Sequence, residues 1–548
     1  MAFTDDLLRP LGPELREAEA LAVTALLNCL IREVARPAGP GIFLLPATGH
    51  VLRAGGARFP SEPALLAPSG RHPLPSAEAV PSVRSPPASA EAVPSGWWPL
   101  SLGELVALAA AELRAGTGVR NDALAAEIID SRDVTAALLA ARRYTLPPAD
   151  AYLRSEQALV AGHRYHPAPK ARGGAAPASW LPYSPEARAS FMLPLFGVPA
   201  GDLVGEGDTG ALDRLGGPPG DGLALLPAHP WQIELLGGRL PHYLGRTAAV
   251  AVPTASIRTV YLPEVDLFCK FSLDVRITND VRRLWLHDLR RLTTVSALLD
   301  RAFDDLPGHL PRPALLRDRG WRGADLGGDG GEALAVIVRD GPGEHLRPGL
   351  TPLLAAGISE GFPGNPLDPL DEDGGLEWWQ RYLEHVVPPV LHAYLRHGVV
   401  LECHLQNVLI AVDGRGMPAQ ALFRDYEGVK LVAERHPGLV APVLFAARAW
   451  DRLVYCLLTN NLCEIAGAVA ARHPRARDEL WARARAVFAA AAKDHEDPAE
   501  LRDLLAAPQI PAKANLLLRW LGADGAAMRW VPIPNPLRHL TEGSAYGR

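Results

Sequence analysis

The chain has 548 residues, 48% of them hydrophobic, and its 61 acidic against 55 basic side chains leave a formal charge of -6. That is roughly three or four domains' worth of chain, enough for several cores, and the near-balance of charge gives no reason to expect a nucleic-acid or polybasic membrane partner. The five cysteines, Cys29, Cys269, Cys403, Cys456 and Cys463, are odd in number, scattered and set in apolar sequence, so buried thiols in a reducing cytosol are expected, not a disulfide or zinc framework.

The opening MAFTDDLLRP lacks the basic and apolar regions of a signal peptide, and no run reaches the ~18 apolar residues that span a bilayer. A soluble, cytoplasmic protein is expected. Residues 13–35 carry apolar side chains at three- and four-residue spacing behind Pro13, the pattern of an amphipathic helix. From 60 to 96 the composition shifts to Pro, Ser and Ala, with SAEAVPS at 76–82 and again at 89–95, and the segment reads as an inserted, mobile loop. Helix resumes at Ser101, where Glu104 is placed for a capping box, and helical spacing continues to Gly162 as a C-cap. The N-terminal third is therefore expected to be mainly α.

GHRYHPAPKARGG then gathers His163, His166, Lys170 and Arg172 in a Gly/Pro-rich loop, which suits an anionic ligand and a solvated basic loop equally well. Residues 200–222 read as loop and turn. HPWQ, with His229, Trp231 and Gln232, reads as a packed turn with a helix start. The stretch from 249 to 278 reads as successive β-runs. If 256–262 and 267–273 pair about a turn at 263–266, Thr259 lies opposite Lys270 while Ser256 and Arg258 share a face. A hydroxyl, a guanidinium and an ammonium gathered on a sheet make a phosphate clamp. Lys270 sits in LFCKFSL, more apolar than a solvated face allows, and Thr278 and Arg282 extend the same cationic surface. The glycines of 318–332 match neither GxxxxGK[ST] nor GxGxxG at a strand-to-helix junction, so that segment reads as a flexible connection before an ALAVIV strand.

LEWWQRYLEHVVPPVLHAYLRHG reads as helix up to Gly398, interrupted or kinked at Pro388-Pro389. In LECHLQNVLI, Glu402, His404 and Gln406 alternate with apolar residues, so a strand would place all three on one face. AVDGRGMPAQ reads as a turn and ALFRDYEG as the returning strand, bringing Asp425 towards Asn407. Asn407 and Asp425 are a reasonable Mg2+ pair, since hard cations take oxygen ligands; a hairpin with a wet polar face fits this stretch as well. Helical patterns follow over 441–472 and 477–493, and Lys513 stands at the start of a last short helix, where a snorkelling surface lysine is expected.

GHRYHPAPKAR, HPWQ, SIRT, the lysine of FCKF, TNDVRR, HGVVLECHLQN, FRDYEG and PAKANLLLR, in this order from about 162 to 520, resemble the IucA/IucC family of NRPS-independent siderophore synthetases. The resemblance implies an α+β fold like a hand: a helical thumb over 1–145, β-rich fingers over 146–345, and a palm over 346–548 with a hairpin nucleotide site and C-terminal helices. It implies adenylation of citrate or a related acid and coupling to an amine, hydroxylamine or alcohol, with ATP and Mg2+ as cofactors, and homodimers are common in the family. Carried over by motif, Ser256, Arg258, Thr259 and Lys270 hold the ATP phosphates, with His166, Lys170 and Arg172 as further contacts. Glu402, Asn407 and Asp425 serve the nucleotide and its metal. Thr278, Arg282, His404 and Gln406 line the carboxylate pocket, and Lys513 closes it. Two departures bear on substrate identity: Gly173-Gly174-Ala175 where an aromatic is usual after one glycine, and Asn279-Asp280, which sets an acid near Arg282.

Adenylation brings a multiply charged acid against a polyanion, and Arg282, His404 and Lys270 are the expected catalytic cations. His404 serves either as a clamp on the acid or as a base for the amine, and the clamp is the reading favoured here. A small-molecule kinase of the aminoglycoside-phosphotransferase type is the alternative, since His397, Asn407 and Asp425 resemble a kinase catalytic loop and its metal-binding Asp. The catalytic-loop Asp and a Gly-rich loop are missing. A nucleotide-binding pseudoenzyme is the non-catalytic alternative.

Overall fold

A computed structural model of the chain describes residues 12–39, 41–54, 65–67, 98–237, 240–278, 280–328, 330–439, 443–523 and 529–538. Apart from 65–67, the 60–96 insertion with its SAEAVPS repeat lies outside them, as does Asn279.

The first helix, Gly12–Glu33, packs with Leu102–Thr117 and Ala123–Arg142. The capping box at Ser101 forms as expected: the Glu104 N–H donates to Ser101 Oγ at 3.3 Å, and the Ser101 N–H donates to Glu104 Oε2 at 2.8 Å. Leu26, Leu27, Leu30, Leu105 and Leu113 bury against Leu516 and Trp520, so the last helix, Asn515–Trp520, docks on the first. Two expectations fail here. A five-stranded antiparallel sheet of short strands, from Arg36–Gly39 to Trp98–Pro99, joins the helices, its strands too short to show a period. Helix also stops well before Gly162, at Glu156, because Pro147-Pro148 breaks the run and Ala151–Glu156 restarts it for only six residues.

Two sheets position the site. The first runs Val252–Pro253, Thr259–Leu262, Leu267–Phe271, Val336–Asp340, Asp318–Ala324 and Leu203–Gly207, with Thr259 opposite Lys270 as expected. Its last two strands occupy segments expected to be loop. The glycines that signal turns there instead admit close backbone approach: a Cβ on Gly207 would meet the Arg319 carbonyl at 2.4 Å, and one on Gly320 the Glu206 carbonyl at 2.5 Å. The second sheet is Ala314–Leu316, Pro418–Arg424, Val408–Val412 and Thr351–Leu354. Behind it lies Glu372–His397, which Asp371 caps and which runs unbroken through Pro388-Pro389 to Gly398 at φ 64°. Trp378, Trp379, Tyr382 and Val386 of this helix are fully buried.

Helix from Ala446 continues through a π-turn at Tyr455–Leu462 to Arg472. This stretch is long and apolar enough to cross a membrane, but 72% of its most apolar window is buried inside the fold, as in a core helix. Its π-turn presents Asn461, which accepts from the Tyr382 hydroxyl at 2.7 Å and donates to the Cys403 carbonyl at 2.8 Å.

Glu156 ties three segments together. It accepts from Arg424 at 2.5 and 3.3 Å and from the Ala255 N–H at 3.0 Å, and both charged side chains are buried. Removing one partner leaves an uncompensated charge in the interior. Glu156→Ala is expected to cost about 3–5 kcal/mol, measured as a fall in the urea midpoint; a change within error would show that Arg424 finds another partner.

Candidate active site

The strand expected over 401–410 begins only at Val408, and Leu405–Asn407 is a single 3-10 turn. The cause is local. The Gln406 N–H donates to the His404 ring at 3.3 Å, and the Asn407 amide donates to the Glu402 carbonyl at 3.1 Å. Such side-chain bonds compete with a sheet ladder. Glu402, His404 and Gln406 therefore do not share a strand face. Beyond the turn the hairpin forms as expected, with Val408 opposite Phe423, which returns Asp425 beside Asn407. Arg424 donates to the Gln406 carbonyl at 2.8 and 3.1 Å and fixes the turn.

Across from this loop stands the end of the first sheet. Strand begins at Thr259, not at Ser256: Ile257 adopts a φ of 61°, and the Arg258 N–H donates to the Ser256 carbonyl at 2.7 Å. Ser256 and Arg258 thus flank a tight turn and do not share a sheet face. A β-branched residue at positive φ costs about 1–3 kcal/mol. Ser256 Oγ is buried with no hydrogen-bond partner among the described residues, which leaves a donor and acceptor free for a ligand oxygen.

The two walls meet through charge. Lys270, almost fully buried, pairs with Asp425 and, at 2.6 Å, with Glu427. Arg258 reaches Glu427 at 3.4 Å. Arg339 binds Asp425 at 3.0 Å and grips Asp318 at 2.6 and 3.2 Å, while Asp318 also accepts the Tyr426 N–H at 2.9 Å. Burial pushes the Asp425 carboxyl up, but Lys270 and then Arg339 hold it well below the ordinary carboxylate range. Glu427 is likewise lowered against its burial, by Lys270 and Arg258. Asp425 therefore stays ionised. The Asn407 amide nitrogen faces Glu402 and His404, and its Oδ1 makes no hydrogen bond among the described residues. A carboxylate and an amide oxygen are donors that suit a hard cation.

A second cationic group lies next to this network. Arg282 donates to Thr278 Oγ1 at 2.8 Å and to the Ile277 carbonyl at 2.9 Å, with Thr278 at φ 59°, and it is lowered by burial and then by Arg258. Lys513 ends the strand Gln509–Lys513, opposite Trp530, and does not start a helix. Burial lowers it, while Asp280 and Glu402 act the other way, so it faces these acids and is not a snorkelling surface lysine. Glu402 pairs with Arg452 at 2.6 Å and lies against Gly428, where a Cβ would meet its Oε2 at 1.8 Å. Burial lowers His404 below its ordinary value in spite of Glu402 and Asp425, so its ring is neutral near pH 7. His163 is pushed down to about 4 by burial and then Arg32, and it also feels His404 and Lys513.

The basic loop turns inward. Lys170 pairs with Glu186, the Arg172 N–H donates to Asp130 at 2.6 Å, and the Ala168 N–H donates to the His166 ring at 3.1 Å. Arg172 Nε and Glu186 Oε2 remain buried without a hydrogen-bond partner among the described residues. HPWQ is the packed turn and helix start that its sequence suggests: the Trp231 N–H donates to the His229 ring at 3.2 Å, and Gln232 bonds Asp274 and the Ala333 carbonyl.

Sequence reading missed Arg339, Asp318 and Arg452. Arg339 carried a signal like that of Lys270, a cation closing the apolar run ALAVIV. Arg452 lies in an ordinary amphipathic helix and gave none.

Residues 151–360 match the model of the IucA/IucC family, and residues 376–528 match one described as a ferric iron reductase FhuF-like transporter. The chain is 30% identical over 449 residues to an L-2,3-diaminopropanoate–citrate ligase of Staphylococcus aureus, covering 72% of this chain and 76% of that one. It is 28% identical over 428 residues to the rhizobactin siderophore biosynthesis protein RhbC of Rhizobium meliloti, covering 68% and 72%. The fold is that of the ATP-bound aerobactin synthetase IucA of Klebsiella pneumoniae, with a TM-score of 0.75 at 20% identity over 95% of this chain and all of that one. The petrobactin biosynthesis protein AsbB of Bacillus anthracis gives 0.73 at 17% identity, over 98% of each chain. The chain belongs to the IucA/IucC family. These similarities do not favour the kinase reading.

The depressed carboxylates set a pH dependence. Their pairing with Lys270 contributes stability that is fully present above the ordinary carboxylate range, about pH 4, and is lost as the pH falls through the lowered folded values. Lys270→Met is expected to cost about 3 kcal/mol near neutrality, with the gap to wild type narrowing below about pH 4. Urea midpoints across pH measure it, and a gap that does not depend on pH would overturn the assignment.

Proposed function

We propose that the chain is an ATP-dependent siderophore synthetase that adenylates citrate or a related carboxylic acid and condenses it with an amine, hydroxylamine or alcohol. The observation that carries this reading is the meeting of two cationic groups: Lys270 and Arg258 on the ionised Asp425 and Glu427, and Arg282 and Lys513 beside Asp280 and Glu402. Such a junction suits a polyphosphate meeting a polycarboxylate. The named activities of the similar ligases support it.

In the first step an oxygen of the substrate carboxylate attacks the α-phosphorus of ATP, and the bond to pyrophosphate breaks. In the second, the nucleophile attacks the acyl carbon, AMP leaves, and a proton passes to a base. Ser256, Arg258, Thr259 and Lys270 bind the phosphates, with Glu402 on the nucleotide. Asn407 and Asp425 would hold Mg2+, which supplies charge neutralisation when bound. The buried Arg172 Nε, without a hydrogen-bond partner among the described residues, supports a phosphate near His166, Lys170 and Arg172. Thr278, Arg282 and Gln406 orient the acid, and Lys513 closes the pocket. The lowered His404 is neutral in the free protein, and we therefore assign it the base for the nucleophile in place of the clamp.

We further propose the hand-like division into thumb, fingers and palm at 1–145, 146–345 and 346–548, a cytoplasmic location, and a homodimer. The cores run across these boundaries, since residues 22–171 share one with Leu516 and Trp520.

Trapping with hydroxylamine across citrate, 2-oxoglutarate, succinate and hydroxamate-bearing acids is expected to give an acyl-hydroxamate with AMP and pyrophosphate. No AMP with any acid overturns the reading, and ADP instead marks a kinase. Arg282→Ala is expected to abolish the activity. If His404 is the base, the condensation rate holds through the ordinary histidine value, about 6.5, and falls only at lower pH, as its lowered value requires, and His404→Gln removes that limb. Tighter binding of the acid over the same descent would restore the clamp.

A further inference from the structure

Away from the cleft, the C-terminal ends of three helices converge. Leu292–Asp304 ends at Asp305, Glu372–His397 ends at His397 with His392 further back on the same helix, and Arg477–Asp494 ends at His495. Each helix end carries roughly half a negative charge, so three together favour a cation. The ligand atoms of Asp305, His392 and His397 all lie within 4.8 Å of one another. His397 Nε2 is 3.0 Å from Asp305 Oδ2, and His392 Nε2 is 3.7 Å from the same oxygen. The His495 ring centroid lies 5.4 Å from that of His392.

His392 is the observation that asks for a ligand. It is 2% exposed, and neither ring nitrogen has a hydrogen-bond partner among the described residues. A neutral imidazole has one donor and one acceptor, and burying both unpaired is unfavourable because each gives up its hydrogen bond to water. The Asp305 carboxylate is mostly solvent-exposed, which leaves a path for an ion from outside. His397 is held in place from behind, its carbonyl accepting from His436 Nε2 at 2.8 Å.

We propose that Asp305, His392 and His397 bind a Zn2+ ion, with His495 or water as the fourth ligand. Two imidazoles and one carboxylate suit a borderline divalent transition ion and not Mg2+ or Ca2+, which take oxygen ligands. The site is thus chemically unlike the Asn407/Asp425 oxygen pair. A tetrahedron with bonds of about 2.1 Å places its ligand atoms about 3.4 Å apart, so small side-chain rotations close the present spacing. The ion would pin three helix ends behind the second sheet. This gives a role to His397, which the kinase-like reading had linked with Asn407 and Asp425.

The test uses the full-length, tag-free protein, stripped with a chelator and titrated with Zn2+ alone. One ion per chain, a raised melting temperature, and visible bands of tetrahedral geometry when Co2+ replaces it are expected. Asp305→Asn and His397→Gln should lower the affinity at least about tenfold while keeping the metal-free melting temperature. Asp425→Asn should bind zinc as wild type does. No uptake by wild type, full uptake by both site variants, or loss of zinc in Asp425→Asn overturns the proposal, the last by placing the ion in the cleft. If a site variant unfolds, the Co2+ spectrum of wild type decides, since octahedral bands point to an oxygen site.

Discussion

Lys270 stands in the middle of an apolar strand, so its ammonium group is almost wholly removed from water. An unpaired charge there is not tolerable, and the turn after the hairpin of the other sheet answers it with Asp425 and Glu427. That one requirement docks two sheets whose strands come from distant parts of the chain. It also gathers Arg258 and Arg339 around the same acids, leaving a cluster of ionised groups that are already ordered. On the proposed reaction, phosphate oxygens would meet cations that are already ordered, and Asp425 with Asn407 would hold Mg2+, which would neutralise part of the phosphate charge.

That order carries backbone strain. Ile257, Thr278 and Asp425 all adopt positive φ without being glycine, and each adjoins a group used in the cleft. Ile257 throws Arg258 towards Glu427, Thr278 offers its hydroxyl to Arg282, and Asp425 bends the chain so that Tyr426 meets Asp318. Strain of about 1–3 kcal/mol at each residue persists only where its surroundings over-determine the conformation. Here the surroundings are the buried ion pairs Arg339–Asp318 and Arg424–Glu156.

Much of this was legible in the sequence. The pairing of Thr259 with Lys270 follows from alternation about a short turn, and the return of Asp425 to Asn407 follows from Asp413-Gly414 between two apolar runs. The failures have two causes. At 401–407 and 256–258, alternation suggested strand, but His404, Asn407 and the Ile257 turn draw backbone groups into local bonds. At 203–207 and 318–324, glycines suggested loop, although they serve to let two strands approach.

By itself the sequence determined which residue types lie in which order: an apolar hairpin with a lysine, a polar loop ending in an acid, and the family to which that order belongs. These are local properties, carried by period, turn chemistry and motif. Only the tertiary structure decided which charges meet. Arg339 and Asp318 beside Asp425, Arg452 beside Glu402, and Lys513 facing Asp280 and Glu402 come from elements far apart in the chain. The three helix ends around His392 are likewise invisible to any sequence window. Burial, which sets the charge of His404, depends on all of these neighbours at once, and one side chain's type does not encode it.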